Sequence, residues 1–374
     1  MNMDQAVVKR ATPDEVEALG RLSDRVFRPD IEPGTGMQRE FPLMFDGDNA
    51  ANLYYVEDAG RPVGLLGMMP GCAVTCGVRI SVASMGSVCT EAAYRGRHFA
   101  SVMIEQVLDD FSTDTSVLLV SGGLSIYRRV GCVNFGAFHA AWLDAPVDAS
   151  LLAPFVVRRV VPEEAAETLH SLYTAEPLRF VRTPAQMLGL LRSLAAPHYR
   201  AAPHSPAVFA AEQDGRVVAY AIAALPNRAD APVHLIEWAG ARDALFALAQ
   251  AARDEYGASA ARLYANMDDL TLRSLLRRAG VFMEERSNQG TLRVLNPELL
   301  LKELGPTLAE RYGVIPSLRE SAAQEWTVRC PRGAQQGEAA RDVTLRGFAE
   351  LSAWFFGPDG LQIPLPRTDD LNYI

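Results

Sequence analysis

Between Val88 and Leu108 the chain reads VCTEAAYRGRHFASVMIEQVL. A β-branched run gives way to Arg95-Gly96-Arg97, and an amphipathic helix follows at once, with Phe99, Val102, Met103, Val107, Leu108 and Phe111 at helical intervals. The first N–H groups of a helix have no intrahelical acceptor, so such a corner suits an anion, and flanking guanidinium groups add charge. The same residues serve equally as a solvated turn in which Gly96 eases the bend. The neighbouring elements have to decide between the two readings.

The elements around the corner form an alternating series. Thr12 and Glu15 have capping-box spacing at the start of a helix over 11–27, and FPLMF (41–45) suggests a second, short helix. LYYVEDAG, RPVGLLGMM and VRISVASMGSVCT read as strands, with a hairpin turn at Asp58–Arg61. TSVLLVSGG is a further strand, SIYRRVG a short helix ended by Gly131, and FHAAWL a strand. This order predicts an α/β sandwich with a mixed sheet rather than a bundle or a doubly wound sheet.

A similar order returns after Pro162: a helix, the strand pair VFAAEQDGRVVAYAIAAL, the strand VHLIEWAG, the helix ALFALAQAARDEYG, the strand ARLYAN, the helix LTLRSLLRRAG and VFMEE. The repetition is one of element order and not of residue identity. Its strand-to-helix junction, WAGARDALF, lacks Arg-Gly-Arg, so a ligand held at the first junction is not expected at the second. From about Leu292 the texture changes to a long helix, two probable strands (WTVRC, DVTLRG) and the aromatic helix FAELSAWFFG. The segment LPRTDDLNYI has no obvious element. We expect three units: 1–148, 149–291 and 292–374.

At 374 residues the chain exceeds one ordinary core, and 49 % apolar residues suffice for several. The net charge of −9 argues modestly against a nucleic-acid partner. MNMDQAVVKR lacks an export-type apolar region, and LLGMMPGCAV is too short and broken to cross a bilayer, so a cytoplasmic chain without a membrane partner is expected. The five cysteines are irregularly spaced, and no second pair or nearby histidine completes a zinc site at Cys72 and Cys76; reduced thiols and no metal are expected.

The run Val88-Cys89-Thr90, three residues, then Tyr94-Arg95-Gly96-Arg97 resembles the acyl-CoA pyrophosphate motif of the GCN5-related N-acetyltransferases (GNAT). In that family a bulged strand leads into a loop Arg/Gln-x-x-Gly-x-Gly/Ala and then a helix. Laid on this chain, the loop starts at Arg95, its central glycine falls at His98, and its last small residue is Ala100. The resemblance implies acetyl-CoA held by Val88, Cys89, Thr90, Arg95, Gly96, Arg97, His98, Phe99, Ala100 and Ser101, with CoA as product. His98 departs from the pattern, since a Cβ and an imidazole take room that glycine leaves open. Ser125–Gly131 resembles the family's Tyr-x-x-x-Gly helix, which makes Tyr127 the implied general acid.

Two such units in tandem, followed by a region resembling sterol carrier protein, resemble the enhanced-intracellular-survival (Eis) type. The implied fold is therefore an α/β (α+β mixed-sheet) acyl-CoA N-acyltransferase fold in two copies, plus a small α+β C-terminal domain. The implied reaction is acetyl transfer to a primary amine of an aminoglycoside, polyamine or lysine-like peptide. Val88 N–H would polarise the thioester, and the terminal carboxylate of Ile374, next to Tyr373, would act as base. A homo-oligomer, hexameric in that type, is also implied. Asp24, Phe27, Glu40 and Phe41 are candidate acidic and aromatic substrate contacts. A non-catalytic acyl-CoA sensor or scaffold, or an enzyme for a longer acyl donor, stand as alternatives.

Overall fold

The computed structural model describes residues 7–145, 155–195, 205–228, 230–312, 317–322, 324–330, 341–369 and 371. The first unit begins with β1 (Lys9–Arg10) and α1 (Val16–Phe27). Ahead of α1, Thr12 N–H donates to Glu15 Oε2 at 2.8 Å, as the capping-box spacing predicts. The next helix, α2 (Met37–Glu40), precedes the FPLMF segment, which turns instead of coiling. The reason is Asp24: its carboxylate accepts from the N–H groups of Gly34, Gly36 and Met37, and so starts the helix there.

Strands β2 (Leu53–Asp58), β3 (Arg61–Thr75) and β4 (Val78–Thr90) form a meander. The β2–β3 turn places Ala59 and Gly60 at positive φ, 50° and 76°, and pairs Asp58 with Arg61. Then come α3 (Phe99–Asp110), β5 (Val117–Val120), α4 (Ser125–Arg129) and β6 (Phe138–Leu143). β5 reads VLLV because it is buried on both faces: Val117 and Leu119 join one core cluster, Leu118 and Val120 another.

The second unit contains β7 (Val156–Arg159), α5 (Pro162–Thr174), β8 (Arg179–Phe180), α6 (Pro184–Ser193), β9 (Ala207–Gln213), β10 (Arg216–Ala224) and β11 (Val233–Gly240). It continues with α7 (Ala244–Tyr256), β12 (Ala261–Asn266), α8 (Leu270–Arg278) and β13 (Phe282–Arg286). After β14 (Thr291–Val294) come α9 (Pro297–Tyr312), β15 (Ser317–Ala322), β16 (Glu325–Cys330), β17 (Arg341–Arg346) and α10 (Gly347–Phe356).

Among the described residues two seven-stranded sheets form, ordered β1-β2-β3-β4-β5-β14 with β8 on β3, and β13-β6-β12-β11-β10-β9-β7; the third is β15-β16-β17. Each large sheet contains one parallel pair, β4–β5 or β11–β12. This is the expected mixed α/β fold in two copies with a small third region. The copies also exchange strands. β6, between α4 and the second unit, pairs with β12 and β13, whereas β14 returns to close the first sheet against β5. The third region covers the face of the first sheet opposite α3: Leu300, Leu304, Trp326, Phe355 and Phe356 pack with Ile80, Val82 and Leu119. Among the described residues no helix is long and apolar enough to cross a membrane.

Candidate active site

β4 and β5 run in register from Val82–Val117 to Met85–Val120 and then part. β4 continues to Thr90 with β3 on one side only. Within that free stretch the β3–β4 register slips between Leu65 and Gly67, so that Ser87 and Val88 face Leu66 together. Ser87 takes φ 49°, the mark of the bulge that the motif requires and that its residue type does not announce. Glu91 N–H donates to Val63 O at 2.9 Å. Strand alternation therefore turns the backbone groups of Thr90, and of Val88 two residues before it, to the open edge. Arg95 Nε already donates to Thr90 O at 3.3 Å on that edge.

The corner beyond β4 is open and basic. Arg95, Gly96, Arg97 and His98 are exposed, while Phe99 is buried and anchors the first turn of α3. The first α3 bond runs from Val102 N–H to His98 O, at 3.1 Å, so the amides of Phe99, Ala100 and Ser101 precede the ladder. His98 stands at φ 60°, ψ 14°. It holds the left-handed conformation that glycine would supply, at a cost of about 1 kcal/mol for a residue with a Cβ. Arg97 Cζ lies 4.8 Å from the Tyr94 ring, and Tyr94 donates to Asp58 Oδ2 at 2.8 Å. Glu91 pairs with both Arg25 and Arg61.

Tyr127 sits in α4, across the gap left by β5. It shares a core cluster with Phe99, with Val88 and Tyr94 packed against it, so the corner and the phenol belong to one packed body. Burial pushes its phenol up to about 12, with the Cys132 thiol adding to the effect. Gly122 makes the fit possible: a Cβ there would stand 3.2 Å from Tyr127 Cε2. Thr291 of β14 fixes that loop by donating to Gly122 O at 2.8 Å. Gly131 ends α4 at φ 88°, against Phe348 of the third region. Neither Gly122 nor Thr291 was singled out in the sequence; the Gly-Gly pair before SIYRRVG is the signal for the first, while the second depends on strand exchange.

The candidate substrate residues lie on the other face of β4, the face of Cys89, whose thiol burial pushes up to about 12. Asp24 is fully buried and caps α2 as described above. Glu40 is 4 % exposed and accepts from Arg28 Nη2 at 2.5 Å. Phe41 is buried and Phe27 is 39 % exposed, the most open of the four. Tyr373 and Ile374 lie outside the described residues. The last described one, Leu371, is buried in a cluster of the second unit against which Leu43, two residues past Phe41, also packs.

The corresponding corner of the second unit differs in charge and in room. Gly240, at φ 100°, donates to Glu176 Oε1 at 2.9 Å, and a Cβ there would collide with Val218 O. Arg242 is held by Glu176 and Asp269 at 2.7 and 2.8 Å. Asp243 caps α7 by accepting from Ala244 N–H at 3.1 Å, so a carboxylate already stands at the helix start.

Residues 7–134 match the Acetyltransferase (GNAT) domain family. A search of curated proteins finds no match. Among solved structures, a GCN5-related N-acetyltransferase from Anabaena variabilis is 14 % identical with a TM-score of 0.63, covering 94 % of this chain and 90 % of that one. A probable N-acyltransferase from Enterococcus faecalis is 15 % identical at a TM-score of 0.62, with 92 % and 84 % covered. Eis1 from Mycobacterium abscessus is 14 % identical at 0.57, with 91 % and 85 % covered. At these identities the likeness is one of fold, and it extends over nearly the whole chain.

Proposed function

Taking as premise that residues 7–134 carry a GNAT acetyltransferase domain, we propose that the first unit moves an acetyl group from acetyl-CoA to a primary amine. The observation that carries this reading is the corner itself: a bulged strand, a splayed parallel pair, two exposed arginines and three unladdered amides in sequence. The amides of Phe99, Ala100 and Ser101, with Arg95 and Arg97, would hold the diphosphate. The edge of β4 at Val88 and Thr90 would take the pantetheine arm as an added strand. When bound, acetyl-CoA supplies an acetyl thioester as electrophile.

Val88 N–H then donates toward the developing oxyanion. Tyr127 keeps its proton at neutral pH. With its phenol near 12, above an ordinary thiol at about 8.5, it serves the departing sulfur chiefly as a hydrogen-bond donor. The terminal carboxylate of Ile374 takes the ammonium proton in this reading, and Leu371, three residues earlier, is buried in a second-unit cluster against which Leu43 of the first unit also packs. Asp24 and Glu40 act by shaping the acceptor wall rather than by presenting charge, because both are engaged within the protein. Aminoglycosides, polyamines and lysine-like side chains remain the proposed acceptor classes. The sterol-carrier likeness of residues 292–374 and a homo-oligomer, hexameric in the resembled type, belong to the same proposal.

Incubation with acetyl-CoA and a panel of such amines, with thiol release followed, tests the reading. Release that depends on the amine is expected. Tight CoA binding without release from any amine contradicts it and favours a sensor.

A further inference from the structure

The helix that carries Tyr127 is little more than one turn, Ser125–Arg129, and so short a helix does not hold its shape on its own. Its hold comes from β14 and from the third region. Cys132 N–H donates to Tyr127 O at 3.1 Å, and Val133 then exchanges both backbone bonds with Leu292 of β14, at 2.8 and 2.9 Å. Side chains alternate along β14. Leu292 and Val294 join the cluster shared with the third region, whereas Arg293 stands opposite Leu118 of β5, whose side chain belongs to the cluster of Tyr127. Arg293 is thereby brought to the end of α4, where its Nη1 donates to Val130 O at 2.8 Å.

A guanidinium at this place has little else to hold it. Among the described residues no carboxylate pairs with it, and its buried Nε has no partner. Burial lowers the guanidinium to about 10, so it stays charged at neutral pH. Its compensation is the carbonyl end of α4, where a cation is favoured, and the face of the Phe348 ring, 3.9 Å from Cζ. Phe348, at the start of α10, is itself set by Trp326, with 5.0 Å between ring centres. Ser352 of the same helix donates to Phe348 O at 2.6 Å and accepts from Val294 N–H at 2.9 Å, which fastens α10 to β14. The ring also closes on the end of α4: a Cβ on Gly131 would stand 3.0 Å from Phe348 Cβ.

We propose that Arg293 is a positioning residue for proton donation: clamped between Phe348 and the Val130 carbonyl, it fixes α4 so that the Tyr127 hydroxyl meets the departing sulfur. The third region thereby takes part in setting the reaction geometry. Arg293 touches no reacting atom and reaches Tyr127 through the main chain of α4 and through the Cys132 thiol. The positioning role rests on the acetyl-transfer reading given above; the clamp on α4 does not.

The test uses the full chain. Arg293→Met removes the charge and keeps a stem that can pack on Phe348; it should lower kcat about tenfold with KM for acetyl-CoA within about twofold. Arg293→Lys, which retains a cation for the Val130 carbonyl, should stay within about threefold of wild type. Because the effect passes through the phenol, Arg293→Met placed in Tyr127→Phe should lower kcat by no more than about twofold further. Hydrogen exchange over Ser125–Cys132 should quicken about tenfold in Arg293→Met and also in Phe348→Ala, which removes the ring and leaves the cation. An undiminished loss in the Tyr127→Phe background, or unchanged kcat in Arg293→Met, overturns the positioning role. Unchanged exchange in both variants overturns the clamp. A wild type that transfers acetyl to no amine overturns the acetyl-transfer reading, and the exchange result, independent of turnover, still decides the clamp.

Discussion

The corners at β4–α3 and β11–α7 share a strand that outruns its parallel neighbour and a helix that starts a few residues later. They differ in what stands at the helix start. The first has exposed Arg95 and Arg97 and amides without a side-chain cap. The second has Asp243 on its own first turn, Glu176 on Gly240 N–H, and Arg242 neutralised by two carboxylates. A helix N-terminus attracts negative charge, and a carboxylate supplied by the protein satisfies that attraction as well as a phosphate does. In the proposed reading the fold offers the site at both corners, and a handful of charges decide whether a ligand or the protein itself occupies it.

Perturbations that separate or merge the corners should follow. The largest effect is expected from Tyr127→Phe, whose counterpart the second unit does not supply: steady-state kinetics should show kcat reduced about 10²-fold, with CoA affinity nearly unchanged. His98→Asp would give the first helix the acidic start of the second, in a left-handed conformation that aspartate tolerates. Calorimetric titration should show CoA binding weakened about tenfold or more. Replacing Arg95 and Arg97 together by alanine should weaken binding less, roughly three- to tenfold, and flatten its salt dependence, because both side chains are exposed and screened.

The pH profile of kcat/KM gives a further check. In the proposed mechanism Tyr127 acts in its protonated form, and its phenol is raised to about 12 by burial, so it should cause no alkaline loss near pH 10, where an ordinary tyrosine titrates. A loss near pH 10 that disappears in Tyr127→Phe would contradict the buried placement. The smallest effect is expected from His98→Gly, which relieves the positive φ and should raise stability by about 1 kcal/mol or less in denaturant unfolding, with CoA affinity equal or slightly tighter.

The elements around the first corner were readable because the features that form them are local. A β-branched run, a turn rich in arginine and a 3.6-residue stripe each report on their immediate neighbours, and the duplicated element order gave the fold class. His98 shows the limit of reading by residue type: it stands where the pattern has glycine, yet it takes a left-handed backbone that glycine adopts readily. The short helix near residue 40 was misplaced because Asp24, more than ten positions earlier, sets its start. TLRV at 291–294 passed unnoticed as a strand, since only its pairing with β5, across the whole second unit, makes it one. The exchange of β6 and β14 and the contact of Pro366 with Asn288 and of Arg367 with Tyr264 are likewise long-range pairings that no local pattern carries.

The most direct test of the account is hydrogen exchange of the full chain with and without saturating CoA, read at both corners in one experiment. Protection confined to Val88–Ser101, with Trp238–Ala244 unaffected, is the predicted result. Protection at Trp238–Ala244, or none at Val88–Ser101, would contradict it.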